Sequence, residues 1–332
     1  MNELSETRRL RAEVPADLDL AGAEARFLAG LEADAPRRRA VMRFVRPLPL
    51  AAAGAVAVAG AVAVSYLGAD GGGEPTAVEV ANVSALMDRA AAAALKDPLP
   101  VPRPDQYLYQ EMQETQPASA SDDARWLGRQ HVRTWQSVDG SRPDLSRHRT
   151  LPPLPIPGRP LPSTATEAAH APEEMVSEPC GTRAPIDRPY LGAVPADPDA
   201  LLRLLDESGG DGDRGDRLWE SASDVLVSSA APPKVRAALY RAIARIPGVR
   251  VVDDSQDAAG RHGVAVARVV DGVREELIFD RATFRFLGER GVVVESGDQG
   301  PAGALVASSA ILRVSVVDAP PKPGPKAERA DC

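Results

Sequence analysis

The chain has 332 residues, with 39 basic and 47 acidic side chains and a net charge of −8 at pH 7. An acidic balance of this kind excludes a basic nucleic-acid surface over most of the chain. The part beyond residue 68 is long enough for one substantial domain or two small ones.

The first 46 residues hold nine arginines against eight acids, a net of +1, which leaves 30 basic and 39 acidic residues, a net of −9, for the rest. Two helices are predicted in this tail. Asn2 to Glu13 is polar, with Leu4 and Leu10 among charges, and Pro15 closes it. Asp19 to Ala33 starts with an acidic cap and sets Ala23, Phe27, Leu28 and Leu31 on one stripe. Such a helix cannot bury its stripe alone. Either the stripe rests on lipid, or Phe27, Leu28 and Leu31 bind a partner.

Arg37, Arg38, Arg39, Arg43 and Arg46 then form an acid-free block, and Pro47 to Ala69 carries no charge at all. Twenty residues, Leu48 to Leu67, at about 1.5 Å each span the roughly 30 Å hydrocarbon core of a bilayer. The arginines on one flank, against Asp70 and Glu74 on the other, hold the tail in the cytoplasm. The same arginines meet anionic lipid. A signal peptide carries its charged region within the first few residues, whereas 46 residues precede this run. The expectation is a single-pass membrane protein with its N-terminus cytoplasmic and an extracytoplasmic C-terminal domain, the lipid bilayer being its first partner.

Beyond the flexible exit Asp70–Gly73, Thr76 to Lys96 reads as a helix with Val80, Val83, Leu86, Met87 and Ala90 on its apolar side. Pro98, Pro100, Pro102 and Pro104 stop it. Gln106–Met112 and Gln130–Val138 read as strands, and the ectodomain's first part runs over 70–149. Residues 150–189 hold ten of the 31 prolines and read as a linker or stiff loop without ladder pairing. The second part, 190–318, opens with helices over Pro198–Glu207, Asp216–Ser228 and Lys234–Ile246. An antiparallel meander follows: Val249–Val252, Gly263–Val270, Val273–Asp280, Phe284–Val294 and Ala304–Val317. Asp271-Gly272 marks a two-residue hairpin, so paired positions sum to 543. One face then carries Val264, Val266, Leu277 and Phe279, expected to pack on the helix stripe Val235/Leu239/Ile243, with an Arg268–Glu275 ion pair near the open end. Residues 319–332 read as a disordered C-terminus.

The fold class is therefore an α+β ectodomain, an antiparallel β-meander sheet with helices on one face, plus one N-terminal transmembrane helix. No catalytic chemistry is spelled out. His131, His148, His170 and His262 have no partner at metal-ligand spacing, and there is no CxxC, no GxSxG and no nucleotide fingerprint. The loop 209–216 lacks the closing Glu of an EF-hand, position twelve being Ala222. Neither an enzyme, a cofactor, a metal nor a nucleic-acid partner is expected. Cys180 and Cys332 can pair, but spacing alone does not fix their connectivity.

ELSETRRLRAEVPA in the tail, the Arg-rich block, the alanine-rich span, DQYLYQE, TWQSVDGSR, PADPDALLRLL, LYRAIARIPGVRVV and VREELIFDRATFRFLGE fall in this order. The layout resembles an actinobacterial family of single-pass membrane proteins of unknown function, typically encoded beside extracytoplasmic-function sigma factors. The resemblance implies a regulator or sensor in signal transduction with a cytoplasmic sigma factor as partner. It supplies no catalytic residues. The alternative is an extracytoplasmic binding or scaffold module, for an apolar ligand or an envelope protein, whose tail only anchors. The ectodomain pattern is also similar in kind to the half-barrels of lipoprotein carriers, in which a curved sheet cradles helices.

Overall fold

The structure is a computed structural model that describes residues 77–331 apart from 98, 121–123, 166–173, 180–182, 210–211 and 298. The expected tail helices, the span 47–69, His170 and both cysteines lie outside the described residues. Among the described residues no helix is long and apolar enough to cross a membrane.

The described chain is α+β. Helix α1 (Ala77–Ala94) leads into the strands β1 (Tyr107–Ser119), β2 (Arg125–Ser137), β3 (Asp144–Leu154) and β4 (Glu174–Ser177). Helices α2 (Pro198–Ser208), α3 (Arg214–Ser228) and α4 (Pro233–Ile243) follow. The chain then returns to strands as β5 (Arg250–Gln256), β6 (His262–Val270), β7 (Val273–Phe279), β8 (Phe286–Val293), β9 (Leu305–Val317) and β10 (Glu328–Ala330). All ten strands form one sheet in the order β10-β4-β3-β2-β1-β9-β8-β7-β6-β5. Every ladder is antiparallel except β10 on β4. Two meanders, β1–β4 and β5–β9, thus join through β1 and β9, which pair from Tyr107↔Val317 to Thr115↔Ser308 with a bulge after Glu111.

Local chemistry explains the elements. Asp197 caps α2 by accepting from the Ala200 N–H at 2.8 Å, and Asp213 caps α3 by accepting from Asp216 N–H at 2.8 Å. Pro198 and Pro233 open α2 and α4 from the first turn, where their missing N–H costs nothing. Asp271 and Gly272 both have positive φ, 46° and 76°, the geometry of a type I′ turn. The β6–β7 register is Val264↔Phe279 through Val270↔Val273, as the two-residue turn requires.

The main core takes apolar side chains from all four helices and from one face of β6 and β7, including Val235, Leu239, Ile243, Val266, Leu277 and Phe279. The hairpin face and helix stripe expected from sequence therefore meet. Phe279 stacks edge-on against Tyr240, ring centroids 5.3 Å apart.

Four expectations are corrected. Strands β1 and β2 run well past the short segments read from sequence, and β3 was not anticipated. Part of the Pro-rich stretch is strand: Leu151 and Leu154 pair with β2, and β4 pairs with Asp144–Arg147. Pro152 and Pro153 are tolerated because β4 covers only the first four residues of β3, leaving the far edge without a ladder to break. The terminus is ordered through β10. Finally, Arg268 and Glu275 face each other in register but form no ion pair. α3 lands on this face, and its own groups take both side chains. Arg268 Nη2 donates to Asp216 Oδ1 at 2.7 Å, and Trp219 Nε1 donates to Glu275 Oε2 at 2.8 Å.

Gly288 sits where β8 closes on β9. Its φ is +156°, and a Cβ there would lie 2.3 Å from the Ser309 carbonyl oxygen. Gly288→Ala is expected to cost about 3 kcal/mol or more, read as a lower urea midpoint at unchanged slope.

Candidate functional site

A concavity on the described surface lies between α1 and the sheet's β5 edge. It is a cleft of about 580 Å³. Leu86 and Ala85 from α1, Val251 from β5, Val264 from β6 and Phe284 from the β7–β8 turn supply apolar lining. Arg89, Arg250 and Arg281 line it too, against the single acid Asp253. A second hollow of about 480 Å³ continues past Arg89 and Phe284 along α1 to Lys96, Asp97 and Arg285. The two share the Arg89–Phe284 pair, with the guanidinium carbon 5.6 Å from the ring centroid.

Phe284 is held in this position by the turn. Asp280 Oδ1 accepts from the N–H groups of Ala282 (3.1 Å) and Thr283 (2.7 Å) and from the Thr283 hydroxyl (2.7 Å). These bonds keep the Asp280 carboxyl below its ordinary range. Phe284 N–H returns to the Asp280 carbonyl at 2.9 Å, and Phe284 adopts φ +56°, rare for a bulky side chain. Arg281 is fixed by Asp254 Oδ1 at 3.0 Å and by the Asp253 carbonyl. Asp97 ends α1 by binding Arg285 at 2.9 Å and Arg236 at 3.6 Å. The cleft is thus lined by apolar and polar side chains in about equal share, with three arginines against one carboxylate. It suits an elongated apolar body with an anionic end.

A second feature lies under α3. Glu289 is 4% exposed, and its carboxyl is pushed well above the ordinary range by burial, with Glu275, Asp224 and Glu114 adding repulsion. Glu275 is pushed up to about 7 by burial, which outweighs the indole bond from Trp219. Glu114, raised by burial, accepts from Gln130 and Gln116, both at 2.9 Å. Gln130 in turn faces His148 Nδ1 at 3.1 Å. Among the described residues no group of three or more His, Cys, Asp or Glu is placed to hold a metal ion.

The sequence-derived contacts Phe27, Leu28 and Leu31 and the arginines Arg37, Arg38, Arg39, Arg43 and Arg46 lie outside the described residues. The groove was not anticipated, because its walls come from three segments far apart in sequence. One local signal existed: Asp280, followed three residues later by Thr283, marks a capped turn that presents the next residue, Phe284.

No family model matches the sequence, and a search of curated proteins finds no match. Among solved structures the chain is similar to MucB in complex with MucA(peri), at 14% identity and a TM-score of 0.26 over 74% of this chain and 61% of that one. A MucA/MucB complex from Pseudomonas aeruginosa gives 14% identity and a TM-score of 0.23, covering 73% and 59%. A putative outer membrane lipoprotein-sorting protein domain from Vibrio parahaemolyticus gives 8% and 0.21, covering 71% and 93%. The chain therefore spans about three-fifths of the MucB chains it matches.

The buried carboxyls make a pH prediction. Glu275 binds its proton more tightly in the fold than its ordinary value of 4.5, so folding takes up a proton between about pH 4.5 and 7. Stability is then full below that window and falls as pH rises through it. Glu275→Gln is expected to flatten this fall, measured as unfolding midpoint against pH.

Proposed function

We propose that this chain is a membrane-anchored extracytoplasmic sensor whose α1 groove binds an apolar ligand with an anionic end and reports its occupancy to a cytoplasmic partner. The observation that carries this reading is the place of α1. It forms one whole wall of the groove, and only residues 70–76 separate it from the charge-free run 47–69. A ligand between α1 and β5 bears on the element joined most directly to the anchor. The sheet and its helices then act as a half-barrel that holds α1 against the ligand. The tail stripe Phe27/Leu28/Leu31 is the contact for a sigma factor, folding on binding.

The second reading keeps the groove and makes the tail an anchor only. It is favoured by the cleft's mixed lining, in which Leu86, Val251, Val264 and Phe284 stand beside three arginines, since such a cleft binds without any signal.

A pull-down of the full chain from native-host membranes separates the two. The sensor reading predicts that a sigma factor is retained and that Phe27→Asp with Leu31→Asp abolishes its retention. Ala85→Trp, at an exposed position on the α1 wall of the cleft, should change the retained amount at least about fivefold, the range of ordinary coupling energies. Equal retention by wild type and Ala85→Trp removes the coupling. No sigma factor on the wild-type chain leaves the anchored binding module.

A further inference from the structure

We infer that the sheet face of β9, β1, β2 and β3 turned away from the helices docks an acidic, extended polypeptide segment of a partner protein. On β1, Gln110 bonds the Val227 carbonyl of α3, so its even-numbered side chains here face the helical layer and its odd-numbered ones face away. Cross-strand partners share a face. The ladders therefore set Arg313, Glu111, Arg133, Arg147 and Glu174 in one row from β9 to β4. The next row sets His131 beside Arg149, and the one after it carries Arg129.

On the other side of the charged row stand Tyr109, Trp135, Leu145 and Val176. The rings of Tyr109 and Trp135 meet with centroids 5.1 Å apart. Arg313 lies over Tyr109 at 5.8 Å and Arg147 over Trp135 at 5.6 Å. The C-terminal segment covers this aromatic end. Ala327 packs on Tyr107, Trp135, Leu145 and Val176, and the Lys322 carbonyl accepts from Arg147 Nη2 at 3.2 Å. Arg149 and Arg313 stay exposed.

The fold gains little from this arrangement. Arg133 stands directly opposite Arg147, and like charges so placed oppose strand pairing. The two carboxylates in the rows are already engaged. Glu111 accepts from the Tyr109 hydroxyl at 3.1 Å and lies 2.8 Å from His131 Nε2. Glu174 pairs with Arg147 at 2.7 Å and accepts from the Gly324 N–H. A carboxylate from outside relieves the crowding of cations, and the guanidinium fork matches its two oxygens. Spacing selects an extended chain. Arg147 and Arg149 on β3 are two residues apart, about 6.6 Å, which is also the repeat of same-side side chains in an extended segment. Charge selects a short segment over a membrane. The chain beyond residue 46 has a net charge of −9. An anionic bilayer extends past the patch and meets that overall repulsion, whereas a short segment lies within the screening length of about 8 Å and feels the arginines.

The test holds the full chain in phosphatidylcholine nanodiscs and adds a fluorescent peptide of alternating Glu and Ser, with a Gln/Ser peptide as control. Fluorescence anisotropy should show that the acidic peptide binds, that added salt weakens it, and that the control does not bind. In the triple variant Arg133→Gln, Arg149→Gln, Arg313→Gln, affinity should fall at least about tenfold, the loss of one charge-assisted hydrogen bond. The tail arginines and those of the α1 cleft are unchanged in this variant, so the difference reads the sheet face. Its urea midpoint should be no lower than that of wild type, because the Arg133–Arg147 repulsion is gone. If the midpoint is lower, Arg149→Gln alone, at an exposed position, supplies the comparison and should still weaken binding. No binding by wild type, or equal binding by wild type and variants, overturns the proposal. Sedimentation with phosphatidylglycerol vesicles that is lost in the variant, without peptide binding, also overturns it and assigns the face to a membrane.

Discussion

The pairing of β1 with β9 is the constraint on which the rest of the domain depends. Without it there are two meanders separated by three helices, each with an open edge. With it there is one ten-stranded sheet, in which β1 is paired along its whole length on the β2 side and through Thr115 on the β9 side. The ladder joins residues about 200 positions apart, so its loop-closure entropy is offset only when both meanders and the helical layer form together. α3 helps to hold the junction. Trp219 near its start binds Glu275 on β7, and the Val227 carbonyl near its end accepts from Gln110 on β1 at 2.7 Å. One helix thus spans the seam between the meanders. Gln110 is 4% exposed, so this bond is made where water does not compete.

Arg268 is the second fixed point. It reaches from β6 to Asp216 and Asp213 at the start of α3 and to the Pro247 carbonyl in the turn after α4. With 12% of its side chain exposed, it is a partly buried cation with three acceptors, unlike the rim pair that a two-strand view suggests. Its hydrogen bonds join hairpin, helix cap and turn. The same layer leaves Glu275 and Glu289 in dry surroundings, where they favour the neutral form.

What the sequence made legible was local. Asp271-Gly272 fixed a register because a type I′ turn permits one pairing, and the stripe Val235/Leu239/Ile243 declared its buried face through helical spacing. What was not legible was the choice of distant partners. Strand alternation in β1 names its two faces but not β9. Prolines in 150–189 obscured β3 and β4, since counting them says nothing about which edge of a strand stays unpaired. β10 was hidden in a Pro/Lys-rich tail because its order comes from β4 and the aromatic cluster beneath it. The groove had no sequence signature for the same reason. Leu86 and Arg89, Val251 and Val264, and Phe284 belong to separate elements, and only the sheet edge brings them together.

These parts describe a ten-stranded sheet that presents α1 over a cleft lined by three arginines and one carboxylate, seven residues after the charge-free run. The proposed function requires that this domain lie on the extracytoplasmic side of a membrane. The direct measurement fuses alkaline phosphatase, and separately a green fluorescent protein that folds only in the cytoplasm, to the C-terminus of the full chain in bacterial cells. The account predicts active phosphatase and a dark fluorescent fusion. Fluorescence with inactive phosphatase would contradict it.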